Sequence, residues 1–318
     1  MNSNTHKSTH FCPSSDINAT FGKAPSQHYL ERIDADVAVL GVPFDMGPGY
    51  QPGQSSGPRT IREASAYYAF RQAGFYDYED DVIYLSDKTH IVDAGDVDIV
   101  PTDTEKSFAK IKAAVNNILK SNALPVILGG DHSVTAPSVA AFADRGPVHV
   151  IQFDAHLDFL KERYGTRYCR STPMRRCSEM SHVSGITQLG IRGIGSANKS
   201  DFEDALAVGS TILSVRQMRQ LGLNETLAKI PDGKQFYVTV DTDAFDASIA
   251  PGTCIPSHGG FLYYEVAELL QGISKKGAVV GMDIVEFTPA KDPSGITAIL
   301  AVRVIYDLIR FVFEKRKQ

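Results

Sequence analysis

The sequence predicts an α/β fold: one domain built on a parallel sheet with helices packed over it. Two patterns carry this reading. Short apolar runs alternate with helically spaced segments along the chain, the arrangement that parallel strands and crossover helices produce. Several runs are apolar almost throughout, as in Val148-His149-Val150-Ile151 and Phe236-Tyr237-Val238-Thr239-Val240, which suits strands buried on both faces. A third observation sets the domain count. The 318 residues would allow two domains at roughly 150 each, but no Pro/Gly/Ser linker and no repeat of fixed period divides them.

Residues 1–30 are rich in Ser, Thr and His, carry Pro13 and Pro25 and show no periodicity, so they are expected to form an irregular arm on a domain spanning 31–318. The expected strands are Val37–Val42, Ile91–Ala94, Val126–Leu128, Val148–Phe153, Gly185–Gly190, Thr211–Ser214, Phe236–Val240 and Ala278–Ile284. Helical spacing appears over Pro58–Arg71, where Pro58 suits a first turn, and over Glu105–Lys120, Ala136–Ala143 and Glu265–Ser274. The most apolar stretch, Ile296–Phe313, is interrupted by Arg303, Asp307 and Arg310, which would be costly in lipid, and therefore reads as a buried C-terminal helix.

Composition excludes several classes. With 43% hydrophobic and 22% charged residues the chain is neither disordered nor fibrous. A formal charge of -5 supplies no footprint for nucleic acid or anionic lipid, so neither nucleic acid nor a membrane is expected as a partner. Met1–His10 is too polar for a secretory signal, and Cys12, Cys169, Cys177 and Cys254 are too scattered for a disulfide framework. Reduced thiols in a cytoplasmic protein are the expectation.

In parallel sheets the chemistry gathers where strands end. Leu124–Leu128 runs into Gly129-Gly130-Asp131-His132, a glycine pair that lets the chain turn sharply. Phe153 is followed by Asp154-Ala-His156-Leu-Asp158, and if the chain stays extended its period of two points these three polar groups to one side. Val240 is followed by Asp241-Thr-Asp243, with no basic residue between Lys234 and Lys275. Unpaired carboxylates in such a cluster would cost several kcal/mol, so either Lys or Arg partners or divalent cations must balance them. His132, Asp154, His156, Asp158, Asp241 and Asp243 bring four negative charges to balance two dications, an oxygen and nitrogen set suited to Mn, Zn, Ni or Fe. The last strand leads into Asp283-Ile-Val-Glu286, where Glu286 is either a local cap or a partner for a cationic substrate.

These motifs, in this order from about Asp34 onward, resemble the ureohydrolase (arginase/agmatinase) family. Gly41-Val-Pro-Phe-Asp45 and Gly57-Pro-Arg-Thr-Ile-Arg62 are most similar to its agmatinase and guanidinobutyrase branch, where their loops would line the entrance. The resemblance implies a three-layer α/β/α domain with an eight-stranded parallel sheet, two divalent metal ions, manganese or in some members nickel, and a trimeric or hexameric homo-oligomer. It places His132, Asp154, Asp158 and Asp241 on one metal and Asp154, His156, Asp241 and Asp243 on the other, with Asp154 and Asp241 bridging. It also implies that Glu286 grips the guanidinium of a small cationic substrate, that Asp158 relays a proton, and that the reaction cleaves a guanidino C–N bond to urea and an amine. Ala250-Pro-Gly-Thr253 would shape the floor beside the metals.

The chain departs from the family pattern at three places. Arg170 stands where related proteins carry a histidine that shuttles protons or touches substrate, Cys254 where glycine is usual, and His258 where proline is frequent. An arginine cannot shuttle protons near neutral pH and would repel a guanidinium unless it turns away. His258 is then the expected source of the leaving-group proton. The altered Cys169–Thr172 loop points toward an unusual guanidine, substituted or biguanide, beside agmatine, guanidinobutyrate and formimidoylglutamate. Two further readings are a catalytically silent subunit paired with an active paralogue in a hetero-oligomer, and a deacetylase-like metal hydrolase.

Overall fold

The apolar runs segregate by residue parity. Val37, Val39, Leu124, Val126, Leu128, Val238 and Val240 enter one hydrophobic cluster, while Ala38, Leu40, Ile127 and Tyr237 enter another on the opposite side of the sheet. Successive side chains of a strand point to opposite faces, so a run apolar at every position is covered twice. The computed structural model describes residues 11–12, 19–27, 33–47, 51–69, 74–84, 89–195 and 197–315.

The strands are β1 (Phe11–Cys12), β2 (Val37–Gly41), β3 (Phe75–Asp77), β4 (Val82–Tyr84), β5 (Ile91–Val97), β6 (Leu124–Leu128), β7 (Val148–Phe153), β8 (Val183–Leu189), β9 (Thr211–Leu213), β10 (Gln235–Asp241) and β11 (Ala278–Val285). β3 and β4 form a separate hairpin. The other nine lie in the order β1-β5-β2-β6-β11-β10-β7-β8-β9. Eight of them are parallel, as expected, and β1 adds an antiparallel edge by pairing Phe11 with Val97 and Cys12 with Asp96.

Helices cover both faces. On the side of the Val37 cluster lie α1 (Gly57–Ser65), α6 (Val215–Leu221), α7 (Leu223–Ala228), α8 (Tyr263–Lys276) and α9 (Ile296–Lys315); on the other lie α2 (Thr104–Lys120), α3 (Thr135–Ala140), α4 (Pro173–Ser178) and α5 (Lys199–Ala207). The result is the three-layer α/β/α sandwich. Helices α4 to α7 are absent from the expectation: α5, α6 and α7 each present only one or two buried positions, and α4, with four, is six residues long, less than two turns in which to show a 3.6-residue period. The helix expected from Pro58 onward is α1, which starts at Gly57 and ends at Ser65, and within it Arg62 is buried in an ion pair with Asp93 and Asp96 of β5 rather than standing at an entrance. Asp93 also accepts the Phe21 amide at 2.7 Å, which fastens the N-terminal arm to the sheet. The remainder of the arm, 1–10, 13–18 and 28–30, lies outside the described residues.

The four strands whose ends carry the polar motifs are neighbours in the middle of the sheet: β6, β11, β10 and β7. Their register sets Leu128 beside Ile284, Val285 beside Asp241 and Val240 beside Phe153. All four therefore stop at one level, and the segments that follow them meet over one point of the sheet edge.

Candidate metal centre

Three of these ends turn by the same local device. Asp131 accepts the amide of Ser133 at 3.0 Å, Asp154 that of His156 at 2.5 Å and Asp241 that of Asp243 at 2.7 Å. An aspartate that bonds the backbone two residues ahead folds the chain into a tight turn. A Cβ at Gly130 would collide with the Phe44 carbonyl, so the chain can pass there only as glycine. Asp154, His156 and Asp158 do converge, but not by the extended geometry expected for them. β7 stops at Phe153, the chain bends, and Asp158 reaches the centre from a left-handed backbone with φ of 51°.

Two His/Asp clusters result, His132 with Asp154 and Asp241, and His156 with Asp154 and Asp243, so that Asp154 belongs to both. His132 Nδ1 lies 2.9 Å from Asp158, 3.1 Å from Asp154 and 3.4 Å from Asp241. His156 Nδ1 lies 2.8 Å from Asp243 and 3.6 Å from Asp154. His156 is partly exposed, while the other five side chains are buried.

The surrounding side chains fix these groups. His132 Nε2 meets Thr239 Oγ1 at 2.9 Å, and because the Thr239 hydroxyl bonds Asp283 in turn, its oxygen is placed to accept from Nε2 while Nδ1 faces inward. That Nδ1 is buried and has no hydrogen-bond partner among the described residues. Gln152 donates to Asp154 at 2.6 Å and is itself held by Gln188, and the Ala155 amide donates to Asp243 at 3.0 Å. Asp283 accepts from Tyr237 and Thr135 beneath His132.

The electrostatics are those of a site built for cations. Burial, reinforced by Asp243 and Asp154, holds Asp241 well above the usual carboxylate range, and burial together with Asp154 pushes Asp158 up to about 6. His156 is raised by Asp243, and His132 is raised by Asp154, Asp158 and Asp241 despite burial that opposes its charge. Among the described residues no Lys or Arg forms an ion pair with any of the four aspartates. The nearest basic side chain, Arg192, donates to the Asp243 carbonyl at 2.6 Å and acts on Asp243, Asp154 and Asp241 without pairing with their carboxylates, so one cation at most offsets four acids. An orphaned inward lone pair and an all-oxygen-and-imidazole donor set fit divalent metal ions.

A cavity of about 170 Å³ opens beside the centre, lined by His132, His156, Asp158, Arg170 and Glu286, with Arg163 at its exposed rim. Glu286, at φ of 63°, accepts the His132 amide at 2.8 Å. Arg170 does not turn away: its guanidinium lies 3.1 Å from the other oxygen of Glu286. His258 is exposed and is not among the residues lining the cavity; its carbonyl accepts from Arg192. Thr239, Gln152 and Asp283 went unnoticed as site residues, although each is a polar residue inside an apolar strand run, two or three positions before a candidate ligand or Glu286.

Fold and centre together define a metal-dependent hydrolase of the three-layer α/β/α class. The profile of the Arginase family matches residues 35–310. The chain is 32% identical over 300 residues to proclavaminate amidinohydrolase of Streptomyces clavuligerus, covering 91% of each, and superposes on the structure of that enzyme with a TM-score of 0.83 at 31% identity over 92% of this chain and 96% of that one. It is 32% identical to an agmatinase of Pyrococcus horikoshii, covering 87% and 92%. Formimidoylglutamase of Bacillus subtilis superposes with a TM-score of 0.81 at 28% identity, covering 94% of both chains. This chain belongs to the arginase family and is a metal-dependent amidinohydrolase.

Proposed function

We propose that this enzyme hydrolyses the C–N bond of a small guanidino compound, releasing urea and an amine. The observation that supports it best is the pair of His/Asp clusters sharing Asp154, with the inward Nδ1 of His132 facing three aspartates without a hydrogen bond and no Lys or Arg ion-paired to those aspartates among the described residues. In this reading His132, Asp154, Asp158 and Asp241 would hold one ion and Asp154, His156, Asp241 and Asp243 the other. Manganese is the first expectation and nickel the second. When bound, the two ions supply Lewis acidity and a water made acidic enough to ionise near neutral pH.

The chain's own groups do the rest. Thr239 and Gln152 hold His132 and Asp154 in one orientation, so no reorganisation is needed on binding. Asp158 would be the proton carrier, because its carboxylate lines the cavity beside His132 and can take a proton from water and pass it to the departing nitrogen. The exposed His258 lies outside that path. Agmatine, guanidinobutyrate, substituted guanidines and biguanides are the substrates to distinguish. Cys169, Cys177 and Cys254 are free and buried, which accords with a cytoplasmic enzyme, and we expect a homo-oligomer of three or six chains.

The deciding experiment combines elemental analysis of the purified chain with urea release from a guanidine panel. Near two ions per chain with turnover, both lost in Asp154→Asn, is the expected result. A chain that binds no metal and turns over no compound would instead be a silent subunit.

A further inference from the structure

Two of the positions where the sequence leaves the family pattern meet in space. Arg170 Nη1 donates to Cys254 Sγ at 2.7 Å as well as to Glu286 Oε2 at 3.1 Å, and Nη2 reaches the Gln51 carbonyl at 3.4 Å. Cys254 is brought there by the antiparallel bridge of Thr253 to Phe287, and its amide donates to the Glu286 carbonyl at 3.2 Å. A glycine at 254 would offer Arg170 no side-chain acceptor. The other carboxylate oxygen of Glu286 already receives the His132 amide. Both oxygens of this acid are therefore engaged, one of them by a guanidinium of the chain itself.

The pair is stiff. Arg170 and Glu286 are 7% and 4% exposed, so their attraction is little screened, and separating them would leave a buried charge uncompensated. Glu286 is the carboxylate in direct contact with Arg170, and Asp131 and Asp45 act on the same guanidinium from further off. A substrate cation reaching this wall finds its acid already occupied. It finds guanidinium groups instead, because Arg170 lines the cavity and Arg163 adds a second at the rim.

We propose that Arg170 is a specificity-determining residue: it occupies the cation subsite at Glu286 and turns that wall of the cavity into a receptor for a carboxylate carried by the substrate. This rests on the hydrolase reading for the identity of the cavity. Nη2, held among the described residues only by the Gln51 carbonyl at 3.4 Å, is the leg of Arg170 left to meet a carboxylate beside Arg163, so the selected substrate is a short guanidino acid, and a guanidine with an amine tail is disfavoured by like charge.

The test reads binding separately from turnover. Putrescine and 4-aminobutyrate have the same chain length, differ in charge at one end, and contain no bond the enzyme would cleave. Calorimetric titration of the metal-loaded chain is expected to give at least tenfold tighter binding of 4-aminobutyrate. Arg170→Gln should reverse that order, and Cys254→Gly, which removes only the sulfur leg, should narrow it. Glu286→Gln should keep the carboxylate preference, because Arg170 then stands without a competitor. Equal binding of the two probes by the wild type, or an order unchanged in Arg170→Gln and Cys254→Gly, overturns the proposal. Absence of urea from every guanidino compound overturns the hydrolase reading instead, and hydrolysis of agmatine as efficiently as 4-guanidinobutyrate overturns this proposal alone.

Discussion

Thr239 decides which nitrogen of His132 faces the metal centre, and it does so from inside an otherwise apolar strand. Replacing it with valine keeps the shape and removes the acceptor. Thr239→Val is expected to weaken metal binding about 10- to 100-fold, read by chelator competition, while the melting temperature of the metal-free chain moves little. The candidate ligands were legible because each follows an apolar run by one to five residues. The course of Arg170 was not, because its side chain is directed by Cys254, 84 residues away in sequence, and by Glu286, 116 away. His149 is a residue whose value lies in pH. Burial, with a contribution from Lys234, lowers it to about 4, and it stays neutral beside Thr187. The unfolded chain takes up this proton near pH 6.5 and the folded chain only near 4, so stability is full above 6.5 and falls as pH drops through that window. His149→Gln should therefore lose about 2 kcal/mol less than the wild type between pH 7 and 4.5, measured by urea unfolding.

At the scale of elements, the central strands β2, β6 and β7 were readable because burial on both faces leaves a continuous apolar signature, whereas β1 is two residues long and α4 to α7 are short. The turns that shape the centre were only half legible. The Asp-x-Ser, Asp-x-His and Asp-x-Asp triplets are visible in sequence, but extended geometry was expected where aspartates fold the chain back. Helix α1 shows how a motif can be structural: Arg62 is 5% exposed and binds Asp93 with two of its nitrogens at 2.8 and 3.0 Å. Arg62→Ala strands Asp93 in the interior and is expected to cost about 3–5 kcal/mol in chemical denaturation, with residues 19–27 becoming susceptible to proteolysis.

For the whole molecule, the metal centre is also a stability element. Four aspartates buried within one cluster repel when no cation is present, and the ligands are drawn from three separate strand ends between His132 and Asp243. Ions that bind only the assembled sheet should stabilise it by about 3 kcal/mol at a hundredfold excess over Kd. Removal by chelator is expected to lower the melting temperature by several degrees and restoration of manganese to recover it; an unchanged melt would argue that the ions are not held there. Arginase-family architecture also carries a timing constraint. β11 sits between β6 and β10, yet β6 ends at Leu128 and β11 begins at Ala278. A ribosome would have to translate about half the protein after β6 before the strand that closes the middle of the sheet is available. Until then the nascent chain holds two apolar edges side by side with nothing between them, an opening for aggregation or for chaperone capture that closes only when the C-terminal third is released.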